Sequence, residues 1–152
     1  MPYCPRAEIR SPRLLDVAAY LDSKRHNDGS IGRDNIDPII DIPRLASLLM
    51  LAEQAEDGGP RVRLMGSRAS QIMGIDFTGK RLCNVGIVPG PDWPEGLDQV
   101  FAADCLFCGY FRLPWQQNES AGVEWIAQRM RSSSGRPLAL FALDHRQGTS
   151  GR

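Results

Sequence analysis

The segment LLMLAEQAEDGGPRVRLM, from residue 48 to residue 65, predicts two antiparallel strands joined by a turn. Its second half, Arg61-Val62-Arg63-Leu64-Met65, alternates polar and apolar side chains, as a half-buried strand does. Between the halves, Asp57-Gly58-Gly59-Pro60 supplies the residue types that form tight turns. The first half alone fits a helix as well as a strand, but the turn and the alternating partner favour a strand. We therefore expect an antiparallel sheet.

A helix is predicted before these strands, from residue 12 to about residue 25. Ser11 can cap it, and Pro12 suits the first helical position. Its apolar residues recur at helical spacing and form a wide face: Leu14, Leu15, Val17, Ala18, Tyr20 and Leu21. One side of a small sheet cannot readily cover so wide a face, so we expect self-association. The interface residues that we predict for this homodimer are Leu14, Val17, Tyr20 and Leu21.

The rest of the chain predicts further short elements. Residues 36–44 contain two prolines and form a connector, and residues 67–73 form a short helix that Gly74 ends. A longer helix is predicted over residues 95–108, closed by Gly109, because Leu97, Val100 and Phe101 recur at core spacing. Three strands follow, over residues 110–115, 123–130 and 138–144.

Strands on both sides of a helical middle define an α+β domain, a five-stranded antiparallel sheet with helices packed on one face and an additional N-terminal helix. A length of 152 residues fits one domain. We expect an N-terminal extension over residues 1–11, the domain over residues 12–146 and a frayed tail over residues 147–152.

Charge and hydropathy exclude several classes of partner. Eighteen basic and eighteen acidic side chains give no net charge, so nucleic acid is not an expected partner. No apolar run approaches the roughly 18 residues of a membrane span, so we predict no membrane insertion. Charges and prolines in the first ten residues leave no secretory signal. A soluble, cytoplasmic protein is expected.

The four cysteines, Cys4, Cys83, Cys105 and Cys108, lack the spacing of a disulfide framework, so reduced thiols are expected. Cys105 and Cys108 form a C-x-x-C, a spacing that zinc and redox sites use. Their neighbours are apolar and no second ligand pair has zinc-site spacing, which favours buried structural thiols. We predict no metal.

Catalytic groups are scarce. His26 and His145 are the only histidines, and their peripheral positions in the chain leave little from which a nucleophile, a base and an orienting group could be assembled. Gly58-Gly59-Pro60 lacks the lysine and the following helix of a phosphate loop. We predict that the protein is not an enzyme. Arg61 and Arg63 share one face of their strand, so they need an acidic partner, a bound anion or a partner protein.

Three ordered motifs resemble the small bacterial PAS domains. The first is Asn35-Ile36-Asp37-Pro38 followed by Ile42-Pro43-Arg44-Leu45, and the second is the arginine-rich segment 61–68 with Gly66. The third is Gly74-Ile75-Asp76-Phe77-Thr78-Gly79-Lys80-Arg81-Leu82, which matches the family's Gly-x-Asp-x-Thr-Gly-x-x-Leu pattern. Tyr20 stands where the family often has tryptophan, and the C-terminal third matches less well.

The resemblance implies a stand-alone sensory or regulatory domain in bacterial signal transduction, which acts through a small-molecule ligand or a protein partner. It also implies that the N-terminal helix packs in a dimer. A cavity between sheet and helices would be lined by Met65, Ile72, Phe77 and Phe141, although such residues are more often plain core. No cofactor is expected, because Leu82-Cys83-Asn84 lacks the flavin-reactive Asn-Cys-Arg order and neither histidine is placed as a haem ligand. The alternatives are a small-molecule sensor and, third, an enzyme of unrecognised type.

Overall fold

The computed structural model describes residues 8–54, 59–82, 99–111 and 122–146. The helices that lie wholly within the described residues are α1 (Pro12–Ser23), α2 (Pro38–Asp41) and α3 (Ser67–Met73). The strands are β1 (Leu49–Gln54), β2 (Pro60–Met65), β3 (Leu106–Phe111), β4 (Gly122–Met130) and β5 (Leu138–Arg146). Short 3₁₀ turns occupy Arg33–Asn35 and Ala46–Leu48.

The strands form one antiparallel sheet in the order β2-β1-β5-β4-β3. The first hairpin therefore pairs with the last strand, which places β5 at the centre. This confirms the predicted α+β class with a five-stranded antiparallel sheet. The tail over residues 147–152 and part of the predicted turn over residues 57–60 lie outside the described residues.

Helix α1 begins as predicted and packs on one face of the sheet. Ser11 is its N-cap, and the Ser11 hydroxyl accepts a hydrogen bond from the Leu14 amide at 3.1 Å. The helix and the connector after it bury an aliphatic group that we name the α1-face cluster. Its members are Ile9, Leu14, Val17, Ala18, Leu21, Ile31, Ile36, Leu49, Leu106, Ile126, Met130, Leu138, Leu140 and Ala142. Ile9 and Ser11, which lie in the predicted N-terminal extension, are buried.

Helix α3 covers the opposite face and ends at Gly74 as predicted, in the left-handed conformation with φ of 81°. Its buried residues join a second group, the α3-face cluster. The members are Leu48, Met50, Ala52, Val62, Ala69, Ile72, Met73, Phe77, Leu82, Val100, Phe101, Phe107, Val123, Trp125, Ala127, Ala139, Phe141 and Leu143. The sheet is thus buried on both faces, with α1 and α3 on opposite sides.

The helix predicted over residues 95–108 is wrong in its C-terminal part. Residues 99–102 are helical, but Leu106 already begins β3, and residues 95–98 lie outside the described residues. Gly109 does not close a helix; it pairs with Trp125 across the sheet, and a Cβ at Gly109 would lie 2.5 Å from the indole. The indole of Trp125 packs directly against Gly109, where a side chain would collide with it. Glycine is therefore required here for close packing between two paired strands and not for ending a helix.

The segment from Gly74 to Leu82 covers the outer edge of β2. The Asp76 carboxylate accepts hydrogen bonds from the amide and the hydroxyl of Thr78 at 2.9 and 2.6 Å, which holds a turn. Gly79 takes a positive φ of 83°, and its amide donates to the Val62 carbonyl, while the Val62 amide donates to Lys80. An edge strand therefore gains hydrogen-bond partners and is less open to pairing with another chain.

Candidate functional site

The four predicted cavity residues lie together. Ile72, Phe77 and Phe141 are buried in the α3-face cluster, and Met65 packs against it. The Phe77 amide donates to the Met65 sulfur at 3.2 Å. Trp125 stands beside Phe141, with ring centroids 6.4 Å apart, and was not among the predicted cavity residues. The cluster is an apolar, aromatic interior with the composition that small-molecule pockets favour.

A bulge in β2 changes which residues face inward. The register shifts between Leu51 and Ala52, which pair with Leu64 and Val62, so Arg63 has no opposite residue. Val62 and Met65, three positions apart, consequently contact the same cluster. Regular alternation would have buried Leu64 with Val62, whereas Leu64 is 59% exposed.

Arg61 and Arg63, predicted to contact an anion or a partner, each have a partner within the chain. The Arg63 guanidinium pairs with the Glu53 carboxylate on the neighbouring strand. The Arg61 guanidinium donates to the Gly79 carbonyl at 2.8 Å. Both contacts are exposed, so they contribute little to stability and leave room for a further ligand.

Three of the four residues that we predicted for a dimer interface are buried within the chain, and the fourth is partly buried. Leu14, Val17 and Leu21 are buried against the sheet of their own chain, which covers the face that was assigned to a second copy. Self-association through these three side chains would require α1 to leave the sheet. Tyr20 is partly buried at the edge of the same cluster.

Tyr20 connects α1 to α2. Its hydroxyl donates to the Asp41 carboxylate at 2.7 Å and accepts from the Asp37 amide at 3.1 Å. Partial burial and the bond to Asp41 raise the pKa of Tyr20 to about 12. The phenol thus holds the Asp37-Pro38 turn against the first helix.

Buried polar groups anchor α1 at its N-terminal end. Glu124 and Asp144 are opposite residues of β4 and β5, both buried on the α1 side of the sheet. The Glu124 carboxylate accepts from the Arg10 and Ser11 amides, each at 2.8 Å. Two adjacent carboxylates would repel each other without such donors.

Asp144 also binds the N-terminal end of α1. Its carboxylate accepts from the Ser11 hydroxyl at 2.7 Å and from the Arg13 guanidinium at 3.0 and 3.2 Å. At the other end of α1, the Arg25 guanidinium donates to the buried Gln128 side chain at 2.7 Å. We call these contacts of Glu124, Asp144 and Gln128 the α1 anchor. The sequence analysis did not identify it, although Glu124, Gln128 and Asp144 interrupt the apolar residues of β4 and β5.

An apolar groove lies beside α1. It has a volume of about 140 Å³ and is lined mainly by apolar side chains from the connector, β1, β2 and β5, including Ile36, Ile39, Leu51, Leu64 and Leu140. Ile39, which lines the groove, is 76% exposed, and its neighbour in the chain Ile40 is 74% exposed. Large aliphatic side chains exposed together next to a groove are typical of an interaction surface.

The cysteines differ from the prediction of reduced thiols. Cys108 is disulfide-bonded, whereas Cys105 is free. Burial raises the pKa of the Cys105 thiol. Cys105 packs on the α3-face cluster and Cys108 on the α1-face cluster, so the C-x-x-C pair points to opposite faces of the sheet.

The described residues contain no group of three or more His, Cys, Asp or Glu side chains that could hold a metal ion. Within the same ranges, no helix is both long and apolar enough to cross a membrane. The buried carboxylates Glu124 and Asp144 are occupied by the α1 anchor.

The described residues thus form a five-stranded antiparallel sheet with an aromatic cluster on the α3 side and the capped helix α1 on the other side. The PAS domain family model matches residues 9–86, about half of the chain, and the chain belongs to that family. PAS domains are typically sensory rather than enzymatic, and they commonly bind ligands or dimerise. No curated protein matches the chain.

Proposed function

We propose that the protein is a regulatory PAS domain of bacterial signal transduction that performs no catalysis and acts by contact with a protein partner. The observation that carries this proposal is the apolar groove with Ile39, Ile40 and Leu64 exposed around it. Each such side chain gains about 1.5–3 kcal/mol when a partner buries it fully.

The partner that we propose first is a second copy of the chain. The groove continues into the α1-face cluster, because Leu49, Met130 and Leu140 belong to both. Leu15 and Tyr20 lie on α1, Leu15 exposed and Tyr20 partly buried, so helix and groove can contribute to one surface. Two-fold pairing of the same patch is the simplest closed assembly. A partner in the signalling pathway could use the same groove once the pair separates.

Light scattering with matched variants tests the proposal. The unmodified chain should be a dimer at about 100 µM, as a micromolar dissociation constant requires. Ile39→Lys combined with Leu64→Lys should give a monomer with unchanged circular dichroism, because two charges would be buried in an apolar contact. Ile75→Lys is the control, since Ile75 is a partly exposed aliphatic residue outside the groove. A monomeric unmodified chain, or equal loss in the control, contradicts the proposal.

A small-molecule sensor is the second candidate, favoured by the aromatic composition of the α3-face cluster. Met65, Ile72, Phe77 and Phe141 would contact the ligand there. Native mass spectrometry of freshly purified protein should then show a retained mass that Ile72→Ala reduces. Leu21→Ala removes similar volume from the other face and should leave that mass in place. A chain without a retained mass, or equal loss in both variants, argues against this candidate.

A further inference from the structure

A second cavity, of about 440 Å³, lies where the N-terminal end of α1 meets the first turn of α3. Arg10 and Arg13 come from the two sides of the α1 cap, Arg68 comes from α3, and Asp144 and His145 come from β5. This cavity is separate from the apolar groove and from the α3-face cluster, so the inference does not depend on the proposed function.

The one carboxylate in the lining is already satisfied. Asp144 accepts four hydrogen bonds, from the Ser11 hydroxyl, from two nitrogens of Arg13 and from the His145 amide at 2.9 Å. Arg13 and Asp144 neutralise each other at 3.0 Å. Asp144 is therefore not available to balance the other cations of the cavity.

Arg10 and Arg68 supply charge without a partner. Within the described ranges, neither guanidinium forms a hydrogen bond or an ion pair, and both residues are exposed. Arg10 uses only its backbone amide, which donates to Glu124. Two unpaired guanidinium groups lining one cavity form a site for an anion, since the guanidinium fork matches oxyanions in geometry and charge.

We propose that this cavity binds a small dianion, a phosphate monoester or a dicarboxylate, between Arg10 and Arg68. The bound anion connects the α1 cap to α3, the helices of the two opposite faces. Because Arg10 also forms part of the α1 anchor through its amide, binding tightens the N-terminal end of α1 on the sheet.

Isothermal titration calorimetry on the full chain at constant ionic strength tests this, with phenyl phosphate and succinate as probes and acetate as a monoanion. Phenyl phosphate or succinate should saturate with a Kd below about 1 mM, and acetate should bind more weakly. Arg10→Gln and Arg68→Gln should each weaken binding by about tenfold or more, the loss expected for a charge-assisted hydrogen bond. The stronger of the two probes identifies the chemistry of the ligand.

The matched control is Arg44→Gln, because Arg44 is an exposed arginine outside the cavity lining. It should bind as the unmodified chain does. Absence of saturable binding of both probes up to about 10 mM overturns the proposal. So does unchanged affinity in the Arg10 and Arg68 variants, or equal loss in Arg44→Gln, which would indicate non-specific charge attraction.

Discussion

The two faces of the sheet are both buried, but by different chemistry. On the α3 side the buried cluster includes Phe77, Phe101, Phe107, Trp125 and Phe141, and it contains no buried charged side chain among the described residues. On the α1 side the buried apolar residues are aliphatic, and three polar residues of β4 and β5 lie among them.

This difference indicates different roles for the two helices. Apolar packing alone allows a helix to shift, whereas hydrogen bonds to fixed strand positions define its placement. The α1 anchor holds both ends of α1, and the open groove lies next to it. We infer that the α3 face is the stable interior of the domain and that the α1 face is the one through which it makes contacts.

The largest expected effect is on the α3 face. Phe141→Ala should destabilise the protein by about 3–5 kcal/mol, because it leaves a cavity at a fully buried aromatic position of the central strand. Urea unfolding followed by circular dichroism measures the change. Ile39→Ala, on an exposed side chain of similar apolar character, should change stability by less than about 0.5 kcal/mol. Similar values for the two variants would remove the distinction between interior and contact surface.

A smaller and more local effect is expected from the α1 anchor. Asp144→Ala should cost about 1.5–3 kcal/mol, because Ser11 and Arg13 lose a charged acceptor. Hydrogen exchange should accelerate in residues 12–23 and remain unchanged in residues 67–73. Asp34→Ala is the control, since Asp34 is an exposed carboxylate in a 3₁₀ turn outside the anchor. Uniform acceleration across both helices would show that Asp144 stabilises the whole fold rather than one face.

The features that depend on neighbouring residues in the chain, such as the ends of α1 and α3, could be predicted from the sequence. Ser11-Pro12 and Gly74 define the ends of α1 and α3 through capping and a positive φ, so both helices were predicted closely. Residues 106–108 of strand β3 were predicted as helix because Leu97, Val100 and Phe101 recur at core spacing, whereas pairing with β4 determines the conformation from Leu106 onward.

The exposure of Leu64 beside the groove and the α1 anchor could not be predicted, because both depend on residues that are distant in the chain. Leu64 is exposed because of a bulge that depends on the register between β1 and β2, which strict alternation does not reveal. The α1 anchor combines residues more than 100 positions apart in the chain. The predicted cavity residues Met65, Ile72, Phe77 and Phe141 do lie together on the α3 side of the sheet.

The smallest effect concerns Tyr20, at the edge of the α1 face. Folding raises the pKa of Tyr20 from 10.0 to about 12, so the unfolded chain loses this proton first. The stability contributed by the neutral phenol is complete below pH 10 and is lost as the pH rises towards 12. Absorbance titration should show one tyrosine that ionises late, and Tyr20→Phe should remove it. An unchanged titration curve in that variant would contradict the bond to Asp41.

Hydrogen exchange as a function of protein concentration tests the assignment of the contact face most directly. Between about 1 and 100 µM, a range that spans a micromolar dissociation constant, backbone amides of residues 36–40 and 61–65 should become more protected. Those of residues 67–73, in α3, should not change. Protection that is independent of concentration, or that increases in α3 instead of at the groove, would contradict the account.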